Sequence, residues 1–170
     1  MACTPESAAA IVGALRGSLS PDRRSHCLGT ASCAALYCLR HGLDAEKGHL
    51  AGLAHDLARE LPGPELLRLA GLEGPPLRDW ERAAPVLVHG RAAAGLLRVR
   101  FGVSDPEVLA AVCDHVTGRP GMPDLSKAVF CADFLEPGRD FVDDELRGQA
   151  LELPLDEATA LVLERVFAFL

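Results

Sequence analysis

Ser104-Asp105-Pro106-Glu107-Val108-Leu109-Ala110-Ala111-Val112-Cys113-Asp114-His115-Val116-Thr117-Gly118 reads as one helix with both ends marked. Pro106 suits a first turn, Ser104 and Glu107 have the spacing of a capping box, and Gly118 stops the run. Val108, Ala111 and Val112 fall at i, i+3 and i+4, which makes one face apolar, and His115 falls at i+7 of the same stripe. A titratable side chain thus leans toward the interior. The next helix repeats the pattern: Leu125, Ala128, Val129 and Ala132 form its stripe, and Asp133 sits four residues after Val129. His55 and Asp56 follow the apolar run Leu50-Ala51-Gly52-Leu53-Ala54.

Such placements need a physical account. A lone histidine on an apolar face is ordinarily a hydrogen-bonded core residue, and Asp133 alone could cap a turn or pair with Arg139. A buried ionised carboxylate, however, requires a partner cation or a metal. Asp56 and Asp133, with His26, His55, His89 and His115, make a set that a metal ion can neutralise. Imidazole and carboxylate ligands together suit zinc, iron, manganese and related ions.

Outward from these stretches the chain reads as helices separated by short, punctuated loops. A first helix is expected over residues 6–16. Ser20-Pro21-Asp22 opens a second that runs to about Arg40 and stops at Gly42, and Asp44 caps a third. Leu61-Pro62-Gly63-Pro64 breaks that helix, a short one follows over 65–70, and two or three occupy 78–100. Arg119-Pro120-Gly121-Met122-Pro123 is a loop. A helix over 124–136 follows, then two more from about Asp143 and Asp156. Without repeats, low-complexity tracts or linkers, this is one all-α domain, a helical bundle spanning residues 1–170. The motifs occupy about 23–146, and 147–170 form a C-terminal helical extension.

The 170 residues are 49% hydrophobic with a net charge of −7. The charge and the lack of any long basic run disfavour nucleic acid as a partner, while a small anion held by local cations remains compatible. No stretch approaches the ~20 apolar residues of a membrane span. The start, Met1-Ala2-Cys3-Thr4-Pro5-Glu6, lacks the features of a secretion signal. Cys3, Cys27, Cys33, Cys38, Cys113 and Cys131 include no CxxC pair and read as reduced thiols of a cytoplasmic protein, mostly filling the core.

The ligand candidates run His26, then adjacent His55-Asp56, then His89, His115 and finally Asp133, on successive helices. That order resembles the HD-domain phosphohydrolases, in particular the branch whose two extra histidines bind a second metal. Asp114-His115-Val116-Thr117-Gly118-Arg119-Pro120-Gly121-Met122 and Ala132-Asp133-Phe134-Leu135-Glu136-Pro137-Gly138-Arg139, with Arg23-Arg24-Ser25-His26 and His55-Asp56-Leu57-Ala58-Arg59, are similar to the YqeK family of bacterial symmetrical diadenosine tetraphosphate hydrolases. Arg59 stands where that family usually has lysine.

The resemblance implies an HD-domain helical bundle with two metal ions, iron in the family, although manganese, cobalt or zinc would suit the ligands. One ion would be held by His26, His55, Asp56 and Asp133, the other by His89 and His115, with Asp56 bridging. It implies attack of a metal-bridging hydroxide on phosphorus, giving two ADP from diadenosine tetraphosphate. Arg119 and Arg139 would stabilise phosphate charge in catalysis and bind substrate, and Arg59 and Arg23 would add phosphate contacts. A homodimer is also implied. Two alternatives stay open: a mononucleotide phosphatase of the single-metal HD type, and a non-catalytic nucleotide-sensing HD domain.

Overall fold

The computed structural model describes residues 5–168. Ten α-helices and one 3₁₀ turn make up the described chain, with no strand among those residues: α1 Pro5–Ser18, α2 Pro21–Arg40, α3 Ala45–Ala54, α4 Gly63–Ala70, α5 Asp79–Ala83, the 3₁₀ turn Pro85–Val88, α6 His89–Phe101, α7 Pro106–Asp114, α8 Asp124–Leu135, α9 Asp144–Glu152 and α10 Leu155–Ala168. The all-α expectation holds. No helix among the described residues is long and apolar enough to cross a membrane.

Helix ends follow local chemistry, and α7 differs from the sequence reading at both of its ends. The N-cap of α7 is Asp105, not Ser104; its Oδ1 accepts the N–H groups of Glu107 and Val108 at 2.9 and 3.2 Å. A carboxylate at this position also meets the positive end of the helix dipole. In addition, α7 ends at Asp114 and the chain turns through residues 115–117 before Gly118, at φ 60°, redirects it. His115 therefore stands at the C-cap of α7 rather than inside it.

The core is built around α2, α3, α7 and α8, with α6 against α7 and α4, and α10 against α8. α2 buries Cys27, Ala31, Ala34, Tyr37 and Cys38 along one stripe, and α3 buries nearly all of its later residues. Small side chains at the α2–α3 crossing let the backbones approach closely. A Cβ at Gly52 would lie 2.8 Å from both the Ala31 Cα and the Thr30 carbonyl oxygen, so only glycine fits there. Gly90, on the first turn of α6, plays the same part against α7: a Cβ would lie 2.7 Å from the Val112 carbonyl oxygen. These two approaches draw His26 toward His55 and His89 toward His115.

Among the cysteines, Cys27, Cys38 and Cys131 are buried and Cys33 and Cys113 are partly so, all as free thiols. Burial pushes Cys27, Cys33, Cys113 and Cys131 up to about 12 and Cys38 to about 11, so they are protonated core filler at neutral pH. Cys3 lies outside the described residues.

Candidate metal centre

Six side chains from five helices, or the turns that end them, converge on one point. His26 comes from the second turn of α2, His55 and Asp56 follow α3, His89 begins α6, His115 follows α7, and Asp133 sits in the last turn of α8. All are buried except Asp133, whose side chain is 23% exposed at the mouth.

Asp56 lies at the centre and its two oxygens face opposite ways. Oδ2 is 3.5 Å from His55 Nε2 and 3.8 Å from His26 Nε2, while Oδ1 is 3.0 Å from His89 Nε2 and 3.7 Å from His115 Nε2. Asp133 Oδ1 joins the first group, 2.9 Å from His26 Nε2 and 3.6 Å from His55 Nε2. Within each of three overlapping sets, namely His26, His55 and Asp56, then His55, His115 and Asp133, then Asp56, His89 and His115, the ligand atoms lie within 4.8 Å of one another.

The hydrogen bonds fix which imidazole nitrogen faces inward. Nδ1 of His55 donates to the Gly52 carbonyl at 2.6 Å, Nδ1 of His89 to that of Val86 at 2.6 Å, and Nδ1 of His115 to that of Val112 at 2.8 Å. Each acceptor lies three residues back, where a helical turn ends and its carbonyls are short of backbone partners. His26 sits within a helix, beyond reach of such a carbonyl, and its Nδ1 donates instead to Glu136 Oε1 at 3.1 Å. A carbonyl or carboxylate can only accept, so every Nδ1 carries a proton and every neutral ring turns a bare Nε2 lone pair inward. Those lone pairs meet at 3.1 Å between His26 and His55 and at 3.0 Å between His89 and His115. Such contacts are unfavourable unless a cation lies among them. Neighbouring ligands at right angles around an ion with bonds of ~2.1 Å stand ~3 Å apart, so the spacing fits a transition metal.

The ionisation balance reports the same demand for positive charge. Burial alone would raise Asp56, but charge on His55 and the close imidazoles of His115, His55 and His89 hold it far below the usual carboxylate range. Asp133 is held low against burial by His26, His55, His115 and Arg139. Burial lowers His26 and His55, yet the facing carboxylates, Asp133 for His26 and Asp56 for His55, bring both above their ordinary value. His89 goes the other way: burial dominates and its pKa is lowered.

Above the cluster lies a cavity of about 240 Å³ whose rim includes Arg23, Arg59, Val116 and Arg139. Arg23 Nη1 donates to Asp56 Oδ2 at 2.8 Å, and Arg139 Nη2 to Asp133 Oδ1 at 2.7 Å. Arg119 is not part of this rim. Half exposed, it donates from Nε to Asp114 Oδ1 at 2.9 Å and lines a separate depression with Trp80 and Thr117. Asp114 is buried, and its other oxygen accepts the Ser126 hydroxyl at 2.8 Å, so its need for a counter-charge holds Arg119 away from the cluster. Lys127 pairs with Asp124 and Asp156. His49 is exposed, and His41 caps α2 beside Tyr37.

Glu136 stands out in the sequence only as part of the motif after Asp133, with no role of its own. It is 3% exposed, holds His26 through Oε1, and accepts the Gly138 N–H at 2.7 Å through Oε2. The available signal was its place one turn after Asp133. Gly29 on α2 leaves the room it occupies, since a Cβ there would collide with the carboxylate. Arg91, in the run after His89, donates to the carbonyls of Ala70, Glu73 and Pro75 and to Glu81, tying the segment before α6 to it.

The HD domain family profile matches residues 23–154. A symmetrical bis(5'-nucleosyl)-tetraphosphatase of Bacillus subtilis (strain 168) is 32% identical over 157 residues, 92% of this chain and 83% of that protein. A probable nicotinate-nucleotide adenylyltransferase/Ap4A hydrolase of Mycoplasma genitalium is 30% identical, over 76% of this chain and 36% of its own length. The crystal structure of a predicted HD superfamily hydrolase involved in NAD metabolism from Clostridium acetobutylicum superposes with a TM-score of 0.87 at 35% identity, covering 95% of this chain and 85% of that one.

Proposed function

The chain belongs to the HD-domain family, and we propose that within it this protein is a metal-dependent phosphohydrolase that cleaves diadenosine tetraphosphate symmetrically into two ADP. The observation that carries the reading is the two-sided Asp56, whose oxygens face one pair of imidazole nitrogens each. A single-metal phosphatase has no use for the His89–His115 pair, whereas a two-metal hydrolase needs a shared carboxylate between two nitrogen-lined sites. The relatives named as symmetrical tetraphosphatases agree with it.

His26, His55, Asp56 and Asp133 would hold one ion, and His89 and His115, with Asp56, the other. Metals there would supply Lewis-acid charge and lower the pKa of water enough to give a nucleophile near neutral pH. The nitrogen and oxygen ligands admit iron, manganese, cobalt or zinc, and iron is the family's choice. Arg23, Arg59 and Arg139 present guanidinium groups to the cavity and would bind the bridging phosphates of the substrate bidentately. Arg139 also contacts Asp133 and His26, so it links the phosphate site to the ligands. Arg119, held by Asp114 beyond the rim, is suited to a more distant part of a long substrate.

Two ADP arise only from cleavage of the central bridge, whereas cleavage next to either outer phosphate gives AMP and ATP. The test is metal analysis of the purified protein with chromatography of products from diadenosine tetraphosphate, diadenosine triphosphate, ATP and AMP. The expected result is two metals per chain and ADP as the sole nucleotide from the tetraphosphate. One metal per chain with phosphate released from AMP would establish the mononucleotide phosphatase instead. Metal-loaded protein that binds nucleotide without turnover would establish the sensor.

A further inference from the structure

Two further depressions adjoin the cluster cavity in turn, each sharing wall residues with the one before, and their chemistry changes in a definite order. Beside it, sharing Arg23 and Arg139, is a trough of about 250 Å³ with Ser20, Asp22 and Glu60 on its wall. That trough shares Glu136 and Gly138 with the largest cavity described here, about 610 Å³, between α2, α9 and the end of α8. The walls of this third space are mainly apolar, formed by Leu28, Leu36, Leu135 and Leu151 with the ring of Tyr37, and Arg147 and Ser32 supply polar edges. From the metal ligands outward the lining therefore runs from guanidinium groups, to carboxylates and a hydroxyl, to aliphatic side chains.

A nucleotide presents its parts in the same order. Phosphates require cations. Ribose hydroxyls require acceptors, and carboxylates would repel phosphate, so Asp22 and Glu60 belong opposite the sugar. A purine ring requires an apolar slot with a few polar contacts, and guanidinium groups stack on its face. Resting on the phosphohydrolase reading above, we infer that the cavity between α2 and α9 is a nucleobase site that holds one adenine of the dinucleotide.

Two features favour a base over another protein surface. The cavity is concave and borders the carboxylate-lined trough at Glu136 and Gly138, and a site within the usual 300–1,000 Å³ of small-molecule pockets is large enough for a purine nucleoside. Leu28 and Leu36 are also 50% and 49% exposed, two turns apart on α2, at the cavity wall. Covering such side chains is favourable by roughly 25 cal/mol per Å² of apolar area removed from water. Arg147 is already fixed by bonds to the carbonyls of Leu135 and Arg139, so little side-chain freedom is lost when a ring settles on it.

Leu28→Asp and Leu36→Asp change half-exposed positions outside the metal ligands, and folding of each variant is checked by circular dichroism. Affinities of the metal-loaded protein for ADP and for inorganic pyrophosphate are measured by calorimetry, with the KM for diadenosine tetraphosphate and the oligomeric state alongside. Each variant should bind ADP about tenfold more weakly and raise KM similarly, while pyrophosphate affinity stays within about twofold of the parent. Unchanged ADP affinity in both variants would overturn the base site, as would a parent that binds ADP no better than pyrophosphate. Conversion of a dimer to monomers with ADP affinity intact would reassign the cavity to a subunit interface. Loss of ADP affinity in a protein that leaves diadenosine tetraphosphate uncut would uphold the base site and refute the proposed reaction instead.

Discussion

The two sides of Asp56 each bring a pair of imidazole nitrogens to one of its oxygens but are held in place by different means. On the His26–His55–Asp133 side, a buried carboxylate from Glu136 orients one imidazole across 110 positions of chain, and Arg23 and Arg139 balance the acids. On the His89–His115 side both rings are oriented by carbonyls three residues away, and among the described residues no acid other than Asp56 is within ion-pairing distance of either. The ionisation directions differ accordingly, His26 being raised and His89 lowered. Orientation from a helix end requires only local geometry. Orientation within a helix requires a distant residue and therefore depends on α8 docking on α2.

Removing the shared residue should erase the contrast. Asp56→Ala is expected to empty both sides and reduce kcat for diadenosine tetraphosphate by about a thousandfold or more, a loss of several kcal/mol of charge stabilisation. Metal content by mass spectrometry checks the first part. Retention of two ions per chain would show that the carboxylate is not shared. Next in size, His26→Ala and His89→Ala should each leave about one ion per chain while turnover falls at least a hundredfold. If His89→Ala retains both ions and full activity, the second side is structural.

Glu136 separates the two modes of orientation. Carboxylates behind metal-binding histidines are typically worth 10–100-fold in metal affinity, so Glu136→Ala should weaken one ion by about that factor and spare the other. Glu136→Gln keeps an acceptor for the His26 N–H and should recover part of the loss. Equal weakening of both ions would mean that Glu136 acts through folding. The glycines give the matching test of backbone approach. Gly52→Ala should disturb the His26–His55 contact and Gly90→Ala the His89–His115 contact, each at a cost of about 1–3 kcal/mol of stability by denaturant unfolding.

These residues also show how far the sequence was legible. His115 and Asp133 could be read as inward-facing because each continues an apolar stripe of helical period, a signal contained in ten or so neighbouring residues. The order of six ligands and the motifs around them then pointed to the family. Arg119 could not be placed that way: the motif after His115 implies a phosphate contact, but buried Asp114 competes for it, and that competition depends on Ser126 from α8. Glu136 was hidden for the opposite reason. It follows an apolar run as a charged residue near a helix end, a pattern common on surfaces, and only the space left by Gly29 on another helix reveals its burial. The misplaced α7 cap was a choice between adjacent residues that both make good caps, so the motif fixed the helix start to within one residue.

That cap gives the smallest effect and sits on the helix that ends at His115. Asp105 begins the helix that ends at His115, and its other oxygen lies 3.0 Å from Lys47 Nζ, joining α7 to α3. Asp105→Ala should lower stability at pH 7 by about 1 kcal/mol, the usual worth of such a cap. Burial alone would raise the Asp105 pKa, but Lys47 and the N–H groups of Val108 and Glu107 outweigh it and bring it below 3.8. A carboxyl depressed on folding stabilises the protein above its unfolded pKa, and that contribution is lost as pH falls through the folded value. The gap in melting temperature between parent and Asp105→Ala should therefore be full at neutral pH and shrink once pH drops below 3.8. A gap that is constant across this range would assign the cap to side-chain packing rather than to charge. A gap that also weakens metal binding at His89 and His115, but not at His26, would show that the helix carries the second side of the centre as a unit.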